Sequence, residues 1–110
     1  MTRQIFITPK ANEDLDNYFA YIAENNPNAA LRFFDAARQT FANLARIPGM
    51  GNPYSMRNLR LQGLRKRAIA GFENYLIFYH NDERIDILRV FHAARDIKSI
   101  LERDIDEMED

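Results

Sequence analysis

The sequence predicts an α+β domain in which a helical hairpin covers a small, mostly antiparallel sheet. Two long amphipathic stretches fill the first half of the chain, and the apolar residues of each recur at three- and four-residue steps. The second half contains short apolar segments joined by tight turns, which is typical of antiparallel strands. The predicted order is β-α-α-β-β-β with a short final helix, arranged as a two-layer sandwich.

One strand and two helices are predicted in the first half. Residues 3–8 are rich in β-branched and aromatic side chains, which favours a strand. Thr-Pro at 8–9 and Asn-Pro at 26–27 are suited to helix starts, because Thr and Asn accept hydrogen bonds from free amides and proline fits the first turn. Helices are therefore predicted over 10–25 and 27–47, and the very short link between them predicts an antiparallel hairpin.

A loop and three strands are predicted in the second half. Residues 48–63 contain three glycines and two prolines and form the long loop of the chain. Strands are predicted over 64–70, 75–80 and 85–92, and the short links between them require an antiparallel meander. Continuous apolar runs in the last two strands predict that both of their faces are covered. Residues 97–101 complete the pattern with one or two amphipathic helical turns.

Length and composition describe a single globular domain. The chain has 110 residues, of which 46% are apolar and 28% charged, values close to the average for soluble domains. No apolar run approaches the length of a membrane span, and no secretory signal pattern follows Met1. The absence of cysteine excludes disulfide bonds and thiol chemistry. The cytoplasm is the expected compartment.

Charge is strongly segregated along the chain. Residues 102–110 hold six acids and one base, a net charge of −5, which leaves +4 for residues 1–101 out of a total of −1. We therefore predict a domain over 1–101 and an acidic C-terminal tail over 102–110. Eleven residues without an acid contain five bases: Arg57, Arg60, Arg65, Lys66 and Arg67. This basic stripe is either a solvated strand edge or a surface for an anionic partner, which the acidic tail itself could occupy.

Three segments carry a resemblance to a known family. They are residues 41–51 (FANLARIPGMG), 75–79 (YLIFY) and 87–96 (ILRVFHAARD). Together they resemble the RelE/ParE superfamily of bacterial type II toxin–antitoxin toxins, over roughly residues 3–101. The long helical hairpin and the ending of the third segment resemble the ParE branch more than the RelE branch.

The resemblance implies two alternative activities. ParE-like toxins act on DNA gyrase, where they stabilise the cleaved-DNA intermediate and block replication. RelE-like toxins are endonucleases that cut messenger RNA on the ribosome. Either would be neutralised by an antitoxin, which is ParD-like for the ParE branch, and the two proteins would form a hetero-oligomer. A third alternative is a family member that binds its antitoxin without being toxic.

The nuclease alternative makes the stricter chemical demands. Attack by a 2′-hydroxyl needs a proton acceptor, a proton donor and cations near the phosphate. His80 and His92 end different strands of the meander, so they are not expected to share a site. The remaining candidates are His92, Arg95, Arg67 and Tyr79. His92 also has a structural interpretation, in which it braces the junction between the last strand and the final helix.

The gyrase alternative needs a binding surface and no catalytic group. The segments expected to contact the target include the following residues: Arg65, Lys66, Arg67, His92 and Arg95. A groove between the hairpin and the sheet is expected to accept an amphipathic antitoxin helix with acidic flanks, beside these four arginines: Arg57, Arg60, Arg65 and Arg67. Two histidines without metal-ligand spacing and the lack of a phosphate-binding glycine loop predict no metal and no cofactor.

Overall fold

The computed structural model describes residues 2–108, which fold into three α-helices and a sheet of five strands. The helices are α1 (Pro9–Ala23), α2 (Pro27–Arg46) and α3 (Ile97–Met108). The strands are β1 (Ile5–Ile7), β2 (Asn52–Pro53), β3 (Arg65–Ile69), β4 (Phe72–Asn81) and β5 (Ile85–His92). Short 3-10 turns lie at Pro48–Met50 and Leu59–Leu61. The predicted α+β class and the predicted helical hairpin are confirmed.

The second half is more regular than the sequence predicts. The segment 48–63, predicted as a loop, contains the two-residue strand β2 and both 3-10 turns. Strand β4 begins at Phe72, three residues before its predicted start, because Phe72 pairs with Ile69 across a tight turn. Gly71 in that turn has a φ of 83°, in the left-handed region that favours glycine.

Both hairpin helices start as the sequence predicts. The Thr8 hydroxyl accepts a hydrogen bond from the Ala11 amide at 3.1 Å, and the Asn26 side chain accepts one from the Ala29 amide at 3.0 Å. The Thr8 hydroxyl also donates to the Leu88 carbonyl at 2.9 Å, which attaches the start of α1 to β5. None of the helices in the described part of the chain is long and apolar enough to cross a membrane.

The sheet is mixed, with one parallel pair. Its order is β1-β5-β4-β3-β2, in which β1 runs parallel to β5 and all other neighbours are antiparallel. The predicted antiparallel meander over β3, β4 and β5 is confirmed. The edges of the sheet are both very short strands, β1 and β2.

Helices and loops cover both faces of the sheet, so the domain has three layers instead of the predicted two. The hairpin packs on one face over a core made largely by these residues: Ala11, Leu15, Phe33, Ala37, Phe41, Leu44, Ile69, Ile77, Tyr79, Ile85, Ile87 and Val90. Helix α3 and the segment 54–64 pack on the other face, with a second core: Met56, Leu61, Leu64, Phe78, Phe91, Ile100, Leu101 and Ile105. The two-layer prediction is wrong because α3 is long enough to bury the second face.

A β-bulge in β5 organises the contact between α3 and the rest of the domain. Phe78 pairs with Arg89 and Tyr79 pairs with Ile87, so Leu88 is an extra residue in β5. Beyond the bulge, the Arg89 guanidinium donates to both carboxylate oxygens of Asp14 at 2.8 Å and to Asp104 at 2.9 Å. Arg89 therefore links β5 to α1 and α3 at once.

Residues 102–108, predicted as part of a separate acidic tail, are the last turns of α3. Ile105 is buried against the sheet, and Asp104 and Glu107 bond to Lys10 at 2.9 Å and 2.8 Å. Asp104 and Glu107 thus contact the start of α1, whereas Glu102 accepts a hydrogen bond at 3.4 Å from Asn58, which lies within the basic stripe. Glu109 and Asp110 lie outside the described residues.

Candidate functional site

The basic stripe is divided between two faces of the sheet. Successive side chains of a strand point to opposite faces, and β3 follows this rule. Arg65 and Arg67 reach the turn at Pro48–Met50 on the hairpin side. Lys66 lies on the opposite side, with its ammonium group 5.6 Å from the centre of the Tyr54 ring. The Lys66 side chain therefore points away from those of Arg65 and Arg67.

Arg65 and Arg67 differ in burial and in the hydrogen bonds that they form within the domain. Arg65 is half-buried and donates to the carbonyl oxygens of Gly51 at 2.5 Å and Gly49 at 3.2 Å. Arg67 is exposed and makes one long hydrogen bond, 3.4 Å, to the Met50 carbonyl. Arg65 thus holds the turn in place, whereas Arg67 presents its charge to solvent.

Tyr79, a candidate acid for RNA cleavage, is fully buried. Its hydroxyl donates to the Pro48 carbonyl at 2.8 Å and accepts from the Gly51 amide at 3.0 Å. Both hydrogen bonds attach the turn after α2 to the middle of the sheet. A hydroxyl in this position has no access to a substrate phosphate.

His92 lies on the hairpin side of the sheet, at the end of β5. Its amide donates to the Tyr18 hydroxyl at 2.9 Å, and its ring stands edge-on to Tyr75 at 5.1 Å. Its Nδ1 accepts a hydrogen bond from the Ala94 amide at 3.1 Å, which closes the turn leading to α3. Burial raises the pKa of the neighbouring Tyr75 hydroxyl, which stays neutral at physiological pH. These contacts fit the structural interpretation of His92.

The two histidines are widely separated. His80 pairs with Asp86, near the turn between β4 and β5, whereas His92 pairs with Tyr75 at the other end of the strands. Strand alternation places His80 on the α3 side and His92 on the hairpin side. They cannot act on one phosphate together. Within residues 2–108, no three His, Asp or Glu side chains are placed to hold a metal ion.

Arg95 joins Lys66 on the α3 side; both were expected to contact the target, but their proximity to Lys98 was not. The Arg95 guanidinium lies 6.0 Å from the Phe91 ring, and the Lys98 ammonium lies 5.4 Å from the Tyr54 ring. We call this the Tyr54 surface and define it by Tyr54, Lys66, Arg95 and Lys98. The alternation of side chains along β3 indicates that Lys66 points to the opposite face from Arg65 and Arg67. No local sequence pattern indicates that Lys98 and Tyr54 lie close together.

A groove of about 400 Å³ lies between α2 and the part of β3 that β2 leaves uncovered. Its lining residues come from α2, the turn, and strands β2 to β4: Thr40, Asn43, Met50, Asn52, Lys66, Arg67, Ala68, Ala70, Glu73 and Leu76. This groove lies between α2 and the sheet, and Arg67 is among its lining residues. Arg57 and Arg60 were expected beside the groove but do not line it. They belong to the segment from Met56 to Leu61, and both of these end residues pack into the core on the α3 side.

Comparisons with known proteins agree with this architecture. The family profile described as the ParE toxin of the type II toxin–antitoxin system, parDE, matches residues 5–97. No curated protein matches the sequence significantly. The chain is similar in structure to one from the chromosomal ParDE toxin–antitoxin system of P. aeruginosa, with a TM-score of 0.67 and 18% identity, over 83% of this chain and 96% of that one.

A second solved structure extends the likeness. A chain of the toxin–antitoxin complex RelBE2 from Mycobacterium tuberculosis has a TM-score of 0.53 and 25% identity, over 84% of this chain and 99% of that one. Both solved structures share the fold described above, and the family profile spans both the hairpin and the meander. This chain therefore belongs to the ParE family of toxins from type II toxin–antitoxin systems.

Proposed function

We propose that this ParE-family toxin inhibits DNA gyrase by stabilising the cleaved-DNA complex in the bacterial cytoplasm. The observation that carries the proposal is the dispersal of the nuclease candidates. Tyr79 is buried, Arg67 and His92 lie on the hairpin side but on different strands, and Arg95 lies on the α3 side. General acid–base cleavage of RNA needs these groups around one phosphate. Inhibition of gyrase needs only a surface that binds one state of the enzyme better than another.

A RelE-like ribosome-dependent endonuclease is the second candidate. The likeness to the RelBE2 chain favours it, and the cations of the Tyr54 surface would suit an RNA strand. A catalytic role would then fall on Arg95 with Lys66 or Lys98, without either histidine at the same phosphate. Such a nuclease would have cations near the phosphate but no positioned proton acceptor. We therefore favour gyrase inhibition over the endonuclease function.

Expression in bacteria without an antitoxin separates these functions. We expect growth to stop together with DNA replication, while total and ribosome-bound transcripts stay intact. Transcripts cut within codons would contradict the proposal and favour the endonuclease. Normal growth of cells that contain folded protein would contradict both the gyrase and the endonuclease functions. The remaining alternative would be a family member that binds its antitoxin without being toxic.

A ParD-like antitoxin is the second part of the proposal. The groove beside β3 combines apolar residues, Met50 and Leu76, with the exposed cation of Arg67. An amphipathic helix with acidic flanks would match both properties. Charge reversal in Arg67→Glu should therefore weaken antitoxin binding and reduce its sensitivity to salt, because one attractive ion pair is replaced by a repulsive one.

The binding experiment needs a matched charge reversal elsewhere. Arg32 is exposed on α2 and does not line the groove, so Arg32→Glu should leave antitoxin affinity unchanged. Isothermal titration calorimetry at two salt concentrations provides the comparison. Equal affinities for the Arg67→Glu and Arg32→Glu variants would exclude the groove as the antitoxin site. Arg65 is unsuitable for this test because its substitution would release the turn that it holds.

A further inference from the structure

Two lysines and an aromatic ring form the centre of the Tyr54 surface. The ammonium groups of Lys66 and Lys98 lie 5.6 Å and 5.4 Å from the centre of the Tyr54 ring, although one lysine comes from β3 and the other from α3. Neither lysine forms a salt bridge with a carboxylate within residues 2–108; Lys98 donates to the Ser55 carbonyl at 3.1 Å. The surface therefore carries two positive charges at one ring without neutralising them.

The ring is supported from behind by other aromatic residues. Tyr54 stands edge-on to Phe78 at 5.0 Å, and Phe78 contacts Phe91 at 5.8 Å. Phe78 and Phe91 are fully buried, so the partly exposed Tyr54 ring is held on a rigid base. Arg95, over Phe91, adds a third cation at the margin of this cluster.

The Asp96 carboxylate lies near these charges. Burial raises the pKa of the Tyr54 hydroxyl, and the negative charge of Asp96 raises it further. The hydroxyl consequently stays neutral at physiological pH and adds no negative charge. Lys66, Lys98 and Arg95 thus bring three positive charges to this surface, on a chain whose total charge is −1.

We propose that the Tyr54 surface binds single-stranded DNA. Cations that contact phosphates and an aromatic ring that contacts an unstacked base are the combination that single strands require, whereas a duplex hides the faces of its bases. An acidic peptide would use the cations but would gain little from the ring. This inference rests on the proposed function for its biological context, in which the bound strand is DNA opened by gyrase.

Fluorescence anisotropy with the full chain tests the inference directly. The probe is a labelled oligothymidylate of about 20 nucleotides, compared with a duplex and an oligouridylate of the same length. We expect the oligothymidylate to bind more tightly than the duplex, with an affinity that falls as salt rises. Each of Lys66→Gln and Lys98→Gln should lower the slope of log affinity against log salt by about 0.7.

Further variants separate the ring and the acid from general charge. Tyr54→Leu should weaken binding about 5- to 150-fold, because it removes the aromatic face, and Tyr54→Phe should bind like the wild type. Asp96→Asn should tighten binding, because it removes a repulsive charge and asparagine still suits a helix start. Arg32→Gln, an exposed charge loss on α2, is the control and should change nothing. Circular dichroism confirms that each variant is folded.

Several results would overturn the inference. These are equal binding by Lys98→Gln and the wild type, equal binding by the folded Tyr54→Leu variant, tighter binding of the duplex, or tighter binding of RNA than of DNA. A separate gyrase cleavage assay distinguishes this failure from failure of the proposed function. Gyrase inhibition that persists in Tyr54→Leu and Lys98→Gln variants that no longer bind the oligothymidylate would retain the proposed function and show that this surface is not needed for it. Oligothymidylate binding by a chain without effect on gyrase would retain the surface and reject the proposed function.

Discussion

Arg89 is the residue on which the arrangement of the helices depends most directly. Its side chain is only 14% exposed, and it bonds to Asp14 of α1 and Asp104 of α3, which are 10% and 16% exposed. Asp14 also accepts from the Val90 amide at 3.0 Å, so the carboxylate is held by both the side chain and the backbone of β5. The two carboxylates raise the pKa of Arg89 further above its ordinary value, and the group stays charged at every accessible pH.

Arg89→Met should lower the free energy of unfolding by about 3–5 kcal/mol, because it leaves two poorly solvated carboxylates without a partner. The matched control is Arg84→Met. Arg84 pairs with Asp86 at the same 2.8 Å, but its side chain is 51% exposed, so its loss should cost no more than about 1 kcal/mol. Urea unfolding measures both values. If the two variants lost similar amounts of unfolding free energy, burial would not explain the stability that each ion pair contributes.

Tyr79 and Gly51 form a second interdependent pair. A Cβ atom on Gly51 would lie 2.5 Å from the Tyr79 hydroxyl and 2.7 Å from the Lys66 carbonyl oxygen, so only glycine fits there. The sequence suggested Tyr79 as a weak acid for RNA cleavage, from its residue type. It could not reveal that the hydroxyl bonds to a turn 28 and 31 residues earlier.

Tyr79→Phe should cost about 1–3 kcal/mol of folding free energy, because the Gly51 amide and the Pro48 carbonyl lose their partner in a buried position. Its effect on gyrase, measured per folded molecule, should equal that of the wild type. If Tyr79→Phe kept its stability but lost its effect on gyrase, the hydroxyl would have a chemical role. Thermal unfolding and gyrase assays on the same preparation provide the two values.

At the scale of elements, α3 departs most from the sequence prediction. The chain was expected to end in one or two helical turns and an acidic tail, because six acids follow Leu101 and dominate the composition. The helical signal was nevertheless present, since Leu101 and Ile105 are four residues apart and both are buried. The acids Asp104 and Glu107 do not behave as a solvated tail, because cations from α1 and β5 neutralise them.

Ile105→Ala should lower the free energy of unfolding by about 2–4 kcal/mol, because a buried side chain on α3 leaves a cavity against the sheet. Asp106→Ala is the control on the same helix. Asp106 is exposed, and its substitution should change stability by no more than about 0.5 kcal/mol. If Ile105→Ala were as harmless as Asp106→Ala, residues beyond 101 would behave as the tail that composition suggests.

At the scale of the whole molecule, local signals predicted most of the fold. Caps, helical periodicity and turn residues located the hairpin and the meander, because these features depend on neighbours within a few residues. The pairing of β1 with β5 joins Ile5 to Ile85 across almost the entire chain, and no local pattern reports such a contact. The division of Arg65, Lys66 and Arg67 between two faces also depends on which layers cover the sheet.

The same reasoning explains what could be predicted about the site. The superfamily resemblance rested on the order of several apolar segments, and the family profile over residues 5–97 agrees with it. Individual site residues were harder to assign, because the type of a basic or aromatic residue does not show whether its side chain lies in a core, in a turn or on the surface. The groove beside β3 presents the charge of Arg67, the Tyr54 surface presents those of Arg95 and Lys98, and Lys66 belongs to both; these two surfaces carry the proposals.

The central claim is that this toxin acts on gyrase through binding surfaces and not through a catalytic centre of its own. Purified gyrase with supercoiled plasmid, assayed with and without the toxin, tests it most directly. The account predicts that the wild type and the folded Tyr79→Phe variant both cause linear, protein-linked DNA to accumulate. No cleaved DNA from a preparation that still arrests growth when expressed would contradict the account and direct the search to the ribosome.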